Sequence, residues 1–458
     1  MARTFANWLN VYSPAGWKWH WKYQQHLKKK LDDITTGRSK RLMIFMPPRH
    51  GKSELVTIRY TAWRLAKDPE LKVILGSYAQ KLANRFSRSI RRVWIDGTAA
   101  SQPKKEKLSN SLTGAAEWET PGGGGVRAVG VGAGVTGFGA GLIVIDDPVK
   151  NRAQAESETY RDKMWDWFND DVYTRLEPDG AIILIQTRWH EDDLAGRLLR
   201  EMKQGGEQWD VVNLPAFAEV EMDDGGEDCD PRDAIGRRTG DALCPQRFDS
   251  GALGRIKKKI GSYSFSALYQ QRPVPRSKGM FKREWFRNIV DAPPERLEWK
   301  RGYDLAVSTK TSADHTASFR CAMDKMGNLY IADGFRDRIE YPEQKRYILG
   351  RIKCEGKTEH GIEAALHGKA LLQELRREVS LLGKAFKGIK IEGDKMTRAL
   401  GWLNLAEEGK VILVRGPWIN EFLHELSQFP KGRHDDQIDA VSIAVGMLAG
   451  SGTRSAGF

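Results

Sequence analysis

The apolar positions of this chain fall into two alternating patterns. Short runs such as "RLMIFM" (41–46), "KVILGSY" (72–78), "GLIVID" (141–146) and "AIILIQT" (181–187) are apolar almost without interruption. Runs of this kind, rich in branched residues, suit central parallel strands covered on both faces. Between them apolar residues recur at helical spacing. "SELVTIRYTAWRLAKD" (53–68) reads as an amphipathic helix and "AQKLANRFSRSIRRVWID" (79–96) as a second. The alternation predicts an α/β fold with a mainly parallel sheet.

From about Phe217 to Pro294 the pattern breaks into acidic turns, prolines and basic patches, among them "EMDDGGEDCDP" and "RIKKKIG". It resumes near Leu297. "WKRGYDLAVS", "HTASFRCAMD" and "NLYIADGFRD" predict three successive strands. They are followed by a helix in "YPEQKRYILGRIKCEG", a strand in "HGIEAA", a helix in "GKALLQELRREVSLL" and a short strand in "GIKIEG". The expected organisation is a first domain over 1–216, a linker or subdomain over 217–296, a second α/β domain over 297–450 and a disordered tail over 451–458. Ten of the twenty residues from Gly122 to Gly141 are glycine. Directly before a buried strand, such a stretch predicts a tight loop and hairpin rather than a linker.

Composition narrows the class. Of 458 residues 40% are apolar, and the mean hydropathy is −0.53. No apolar stretch approaches the ~18 residues of a membrane span, and "MARTFANWLN" lacks the apolar segment of a signal peptide. A cytosolic protein without a membrane partner is expected. Cys229, Cys244, Cys321 and Cys354 are scattered, which fits neither a disulfide framework nor a zinc site. The net charge of +13 and pI of about 9.4 suit a partner rich in phosphate, chiefly nucleic acid, or a merely basic enzyme. Charge alone leaves both open.

Candidate chemistry decides between them. In "LMIFMPPRHGKSE" an apolar run meets Gly51-Lys52-Ser53. In a phosphate loop the glycine admits close backbone approach, the lysine reaches the β and γ phosphates, and the serine hydroxyl goes to magnesium. Arg49 and His50 sit where they can face the phosphates. The glycine usual five residues before Gly51 is Met46 here. Leu142–Ile145 followed by Asp146-Asp147 matches a Walker B strand, with Asp146 placed for magnesium. Asp147 stands where a water-orienting glutamate is usual. "AIILIQT" delivers Gln186 and Thr187 at a further strand end. Ligands bind outside the carboxyl ends of strands in open sheets, so these three strand ends converge on one polar cluster.

A second set of acids lies in the C-terminal block. Asp304 ends "GYD", Glu363 lies in "GIEAA", and "HDDQIDAVSIAVGML" opens a helix carrying Asp435, Asp436 and Asp439. Acids on interior strands are costly unless paired or metal-bound. Their hard oxygens suit Mg²⁺ or Mn²⁺, and two such ions can activate water and stabilise the leaving oxygen of a phosphodiester. Asp435 or Asp436 also suits a helix cap. His434 is either a proton shuttle or a turn residue, and Lys395 either faces scissile-strand charge or is solvated.

Together, "PPRHGKSE", "IVIDDP", "TRWHEDDLAGRLL", "YDLA", "IEAALHGKAL", "DKMTRA" and "HDDQIDA" resemble the large terminase subunit of tailed bacteriophages, over nearly the whole chain. The resemblance implies an N-terminal P-loop ATPase and a C-terminal ribonuclease-H-like nuclease. ATP and Mg²⁺ would be held by Gly51, Lys52, Ser53 and Asp146, with Arg49 sensing the γ-phosphate and Asp147 activating water. Gln186 and Thr187 would couple hydrolysis to DNA movement, and Gln24 or Gln25 would meet adenine. Asp304, Glu363 and the Asp435/Asp436 pair, with Asp439 as a further candidate ligand, would hold the nuclease ions, Mg²⁺ or Mn²⁺. The implied partners are double-stranded DNA, the procapsid portal, a small terminase subunit and further copies in a ring. The implied setting is the host cytoplasm. The rival reading, a helicase-like ATPase with a non-cleaving C-terminal domain, predicts strand separation and no metal-dependent cutting.

Overall fold

The computed structural model describes residues 4–99, 114–219, 233–273, 279–306, 315–391, 394–432 and 434–451. Apart from Ser451, the tail expected to be disordered lies outside them, as does Cys229. The chain divides into two compact units, Met1–Val274 and Pro275–Phe458.

Unit 1 is built on seven strands: β1 (Arg41–Phe45), β2 (Lys72–Ser77), β3 (Glu117–Glu119), β4 (Gly125–Gly130), β5 (Ala140–Asp146), β6 (Leu176–Gln186) and β7 (Asp210–Asn213). Their order is β3-β4-β2-β5-β6-β1-β7, parallel throughout except for the β3–β4 pair. The continuous apolar runs are the central strands. Met43, Ile44, Ile143, Val144, Ile183 and Leu184 are inaccessible to solvent, because both sheet faces are covered. The glycine-rich stretch forms β4 and its turns, and β4 pairs with β3 on one side and β2 on the other.

The helix after the phosphate loop departs from its expected amphipathic character. Its first part, Ser53–Tyr60, is wound as a π-helix before Thr61–Lys67 continues as α-helix, and every residue from Leu55 to Tyr60 is buried. The helix therefore has no solvent face here. Its polar residues are internal partners instead: Arg59 donates to the Tyr12 carbonyl at 2.7 Å and to Glu54 at 2.8 Å.

Unit 2 carries β8 (Ile289–Val290), β9 (Trp299–Asp304), β10 (Thr316–Met323), β11 (Leu329–Asp337), β12 (Thr358–Glu363), β13 (Phe386–Ile389) and β14 (Val411–Val414). The order is β13-β12-β9-β10-β11-β14-β8. β9, β10 and β11 form an antiparallel meander, and β12 joins β9 in parallel. The helix Asp436–Ser451 packs on β9 and β10. Gly302 sets how closely. A Cβ built there would lie 2.1 Å from the Ala440 carbonyl oxygen and 2.8 Å from the Ala444 nitrogen. Only glycine lets the helix backbone rest on the strand, which brings the first turn of the helix beside the end of β9.

Among the described residues Cys244, Cys321 and Cys354 are free thiols, and no helix is long and apolar enough to cross a membrane.

Gly302→Ala should therefore force the helix off the sheet. We expect a loss of about 1–3 kcal/mol of stability, the usual cost of overpacking a filled interior, read as a lower denaturation midpoint for unit 2.

Candidate functional site

In unit 1 the strand ends meet as anticipated. Ser77 pairs in register with Asp146 and Asp146 with Ile185, so the termini of β2, β5 and β6 lie side by side, with β1 on the far side of β6. After β1 the chain turns through Arg49 (φ 64°) and Gly51 (φ 82°) into the helix. Positive φ comes without strain only to glycine, so Gly51 makes the turn that aims the helix N-terminus at the site. Asp147, also at positive φ (45°), turns the chain away from β5. A cavity of about 440 Å³ opens here, lined by Arg49, Gly51, Lys52, Ser53, Asp147 and Thr187 among others.

The Lys52 ammonium is held on two sides, 2.8 Å from Thr187 Oγ1 and 3.0 Å from Asp147 Oδ2. The other Asp147 oxygen accepts the Thr187 N–H at 2.9 Å. Asp146 is fully buried. Its Oδ2 accepts the Thr57 hydroxyl at 2.6 Å, and its Oδ1 has no hydrogen-bond partner among the described residues. Burial first and the Asp147 charge second push its pKa up to about 7, against the opposing pull of Lys52, Thr57 and Ser53. A buried carboxylate with an unsatisfied oxygen, hydroxyls beside it and a lysine at the cavity wall fits a hydrated divalent cation carrying phosphates.

Other candidates stand apart. Gln24 is buried and accepts the Trp21 N–H at 3.3 Å, closing its own helix, and it does not line the cavity. Gln25 donates to the Trp19 carbonyl at 3.1 Å. Gln186 is buried at the end of β6 beside Phe45, outside the cavity lining, its amide atoms unpartnered among the described residues. His50 turns inward: its ring packs on Phe248 and Nδ1 lies 2.9 Å from the Pro48 carbonyl. Burial lowers its pKa to about 4, so it adds no charge to the loop.

In unit 2, Ile362 pairs in register with Tyr303, so the next residues, Glu363 and Asp304, end neighbouring parallel strands. Asp304 is hydrogen-bonded to Glu363. Burial raises its pKa well above the carboxylate range, and the nearby charges of Asp439, Glu363 and Asp436 raise it further. Acids from two strands and one helix thus lie near enough to act on one another's charge. Asp439 is also raised by burial, opposed by Arg398, whose guanidinium lies 2.6 Å from it. Asp435 pairs with Lys395, and its charge also raises Asp439. The hard oxygens of these acids suit a divalent cation, and Arg398 and Lys395 are the chain's own counterions beside them.

Three contributors were not singled out from the sequence, although Arg398 lies within "DKMTRA". Thr57 stands one helical turn after Ser53 and Arg398 one turn after Lys395, so helical spacing was a usable signal for both. Arg247, in the cavity lining, is remote in sequence and gave none.

Comparison with known proteins agrees with this geometry. A family model described as terminase large subunit, T4likevirus-type, N-terminal, matches residues 43–287, and the terminase RNaseH-like domain model matches residues 301–448. The chain belongs to the terminase large subunit family. It thereby combines an ATPase with an RNase-H-like, metal-dependent nuclease, the enzyme class of viral DNA packaging and endonucleolytic cleavage. No curated protein matches the chain. Among solved structures, the large terminase of a thermophilic bacteriophage is similar over 93% of this chain and 98% of its own, with 11% identity and a TM-score of 0.52. The same protein in complex with ATP-gamma-S matches over 92% and 98%, with 11% identity and a TM-score of 0.50. At that identity the likeness is one of fold.

Two titrations follow. A cation on Asp146 displaces its proton, so magnesium–nucleotide binding should release close to one proton per chain at pH 6 and almost none well above pH 7. Calorimetry in buffers of differing ionisation enthalpy reads this directly. For Asp304, the folded chain keeps a proton that the unfolded chain has lost above pH about 4. Metal-free stability therefore falls as pH rises from there toward the raised folded value. Asp304→Asn should melt higher than wild type at neutral pH without metal, and should lose the stabilisation that Mn²⁺ gives wild type.

Proposed function

We propose that this chain drives double-stranded DNA into a procapsid with ATP and cuts concatemeric DNA with its C-terminal unit. The single observation that carries the reading is that one chain holds two separate sets of strand-end carboxylates, one beside a phosphate loop and one without any. Lys52 and the backbone of Gly51 hold the β and γ phosphates. Ser53 and Asp146 hold Mg²⁺, and Arg49 meets the γ-phosphate.

Asp147 has two tasks in this reading. Before nucleotide arrives it holds the Lys52 ammonium at 3.0 Å. Once phosphate takes the lysine, Asp147 is released to orient the attacking water. Thr187 bonds both residues, so it reports that exchange to the end of β6, where Gln186 passes it to the moving parts.

In the nuclease unit Asp304, Glu363, Asp436 and Asp439 would hold Mg²⁺ or Mn²⁺, whose chemistry there would be to polarise a phosphate and lower the pKa of a bound water. Arg398 keeps Asp439 ionised and oriented. The net charge of +13 suits a surface that follows phosphates without reading bases. The partners in this reading are the portal, a small terminase subunit and further copies in a ring, in the host cytoplasm.

The test is a pair of assays on one preparation. Lys52→Ala should lower ATP turnover at least ~100-fold, on the scale of losing a major charge-stabilising donor, and leave Mn²⁺-dependent plasmid cleavage intact. Asp304→Asn should do the reverse. Retention of both activities in either variant rules out that assignment.

A further inference from the structure

Beside the acids, on the side away from Glu363, stand two histidines. His315 immediately precedes β10, two residues before Ala317, which pairs with Asp304. His434 stands two residues before the helix that begins at Asp436. Their rings meet edge to face with centroids 4.7 Å apart. Asp436 Oδ2 lies 3.5 Å from His315 Nδ1 and 3.9 Å from His434 Nδ1. One ligand atom from each of the three residues falls within 4.8 Å of the others, the one such His/Cys/Asp/Glu group among the described residues. Asp436 is almost fully buried, whereas the histidine side chains keep 15% and 16% of their exposure.

We propose that His315, His434 and Asp436 form a nitrogen-rich cation site that adjoins the acid cluster through Asp436 and takes a divalent transition ion in preference to Mg²⁺. The proposal rests on the reading of the neighbouring acids as a cation site, with Asp436 as the carboxylate shared between the two. Two imidazoles and one carboxylate suit Mn²⁺, Co²⁺ or Zn²⁺, whereas Mg²⁺ prefers oxygen ligands alone. The site has a resident to displace. Arg336 donates to His315 Nδ1 at 3.0 Å, and it also pairs with Glu421 and lies 3.7 Å from Glu425. An ion on Nδ1 releases Arg336 to those two glutamates, so the exchange leaves no buried charge unpaired. The consequence is a nuclease whose second ion is chosen by nitrogen ligands.

The test uses the full chain freed of metal, titrated with Co²⁺ by visible absorption and with Mg²⁺ by calorimetry. Wild type should bind Co²⁺ with the intense bands of nitrogen ligation, and more tightly than Mg²⁺. His315→Ala and His434→Gln should each weaken Co²⁺ at least about tenfold, the loss that even a supporting group gives at a metal, while Mg²⁺ affinity stays within about twofold. Asp304→Asn should lose Mg²⁺ and keep the Co²⁺ bands. Unchanged Co²⁺ binding in the folded histidine variants overturns the proposal. So do Co²⁺ bands that survive in those variants and vanish in Asp304→Asn, which leaves the nuclease reading standing. Conversely, wild type that cleaves no DNA with any divalent ion while the histidine effects hold defeats the nuclease reading and keeps the site. If His315→Ala does not fold, His434→Gln, in the loop before the helix, decides alone.

Discussion

A carboxylate taken out of water must be neutralised, and both halves of this chain are arranged around that requirement. Asp146 is fully buried at the end of one strand and Asp304 half-buried at the end of another. Desolvation alone would protonate them. Each sits where parallel strands end together, so neighbouring carboxylates add repulsion that only a cation relieves. The sheets fix these positions, and the sheets are held by the continuous apolar runs that fill their cores.

The backbone then aims the groups. In unit 1, positive φ at Arg49, Gly51 and Asp147 bends the chain at two strand ends, placing lysine and aspartate across one cavity. In unit 2 the device is a missing side chain. Gly302 lets a helix backbone lie directly on β9, so acids of the helix's first turn reach the strand acids. Glycine thus serves one site by its conformational freedom and the other by its lack of volume.

The chain also supplies provisional counterions. Lys52 rests on Asp147, Arg398 on Asp439 and Lys395 on Asp435. These pairs lower the cost of holding acids together before a ligand arrives. In the proposed function these pairs would make binding an exchange, in which a phosphate takes the lysine and frees the aspartate. Asp436 differs, because its neighbours are two imidazoles rather than a permanent cation.

The sequence by itself determined the alternation of strand and helix, the α/β class, and which strand ends carry the candidate acids. Those follow from local periodicity and from the high cost of placing an acid on a buried strand. It also put Lys52, Ser53, Asp146, Asp304 and Glu363 forward as candidates, since each lies in or beside an apolar run that suits an interior strand. Tertiary structure alone decided the rest. It buried the helix after the phosphate loop on all sides, which turned Thr57 into a partner of Asp146. It turned His50 and Gln24 into packing and capping residues, paired Asp435 with Lys395 and Asp439 with Arg398, and brought His315 to His434 across more than a hundred residues of chain. Such pairings depend on strand order and helix approach, and a linear pattern carries no record of either.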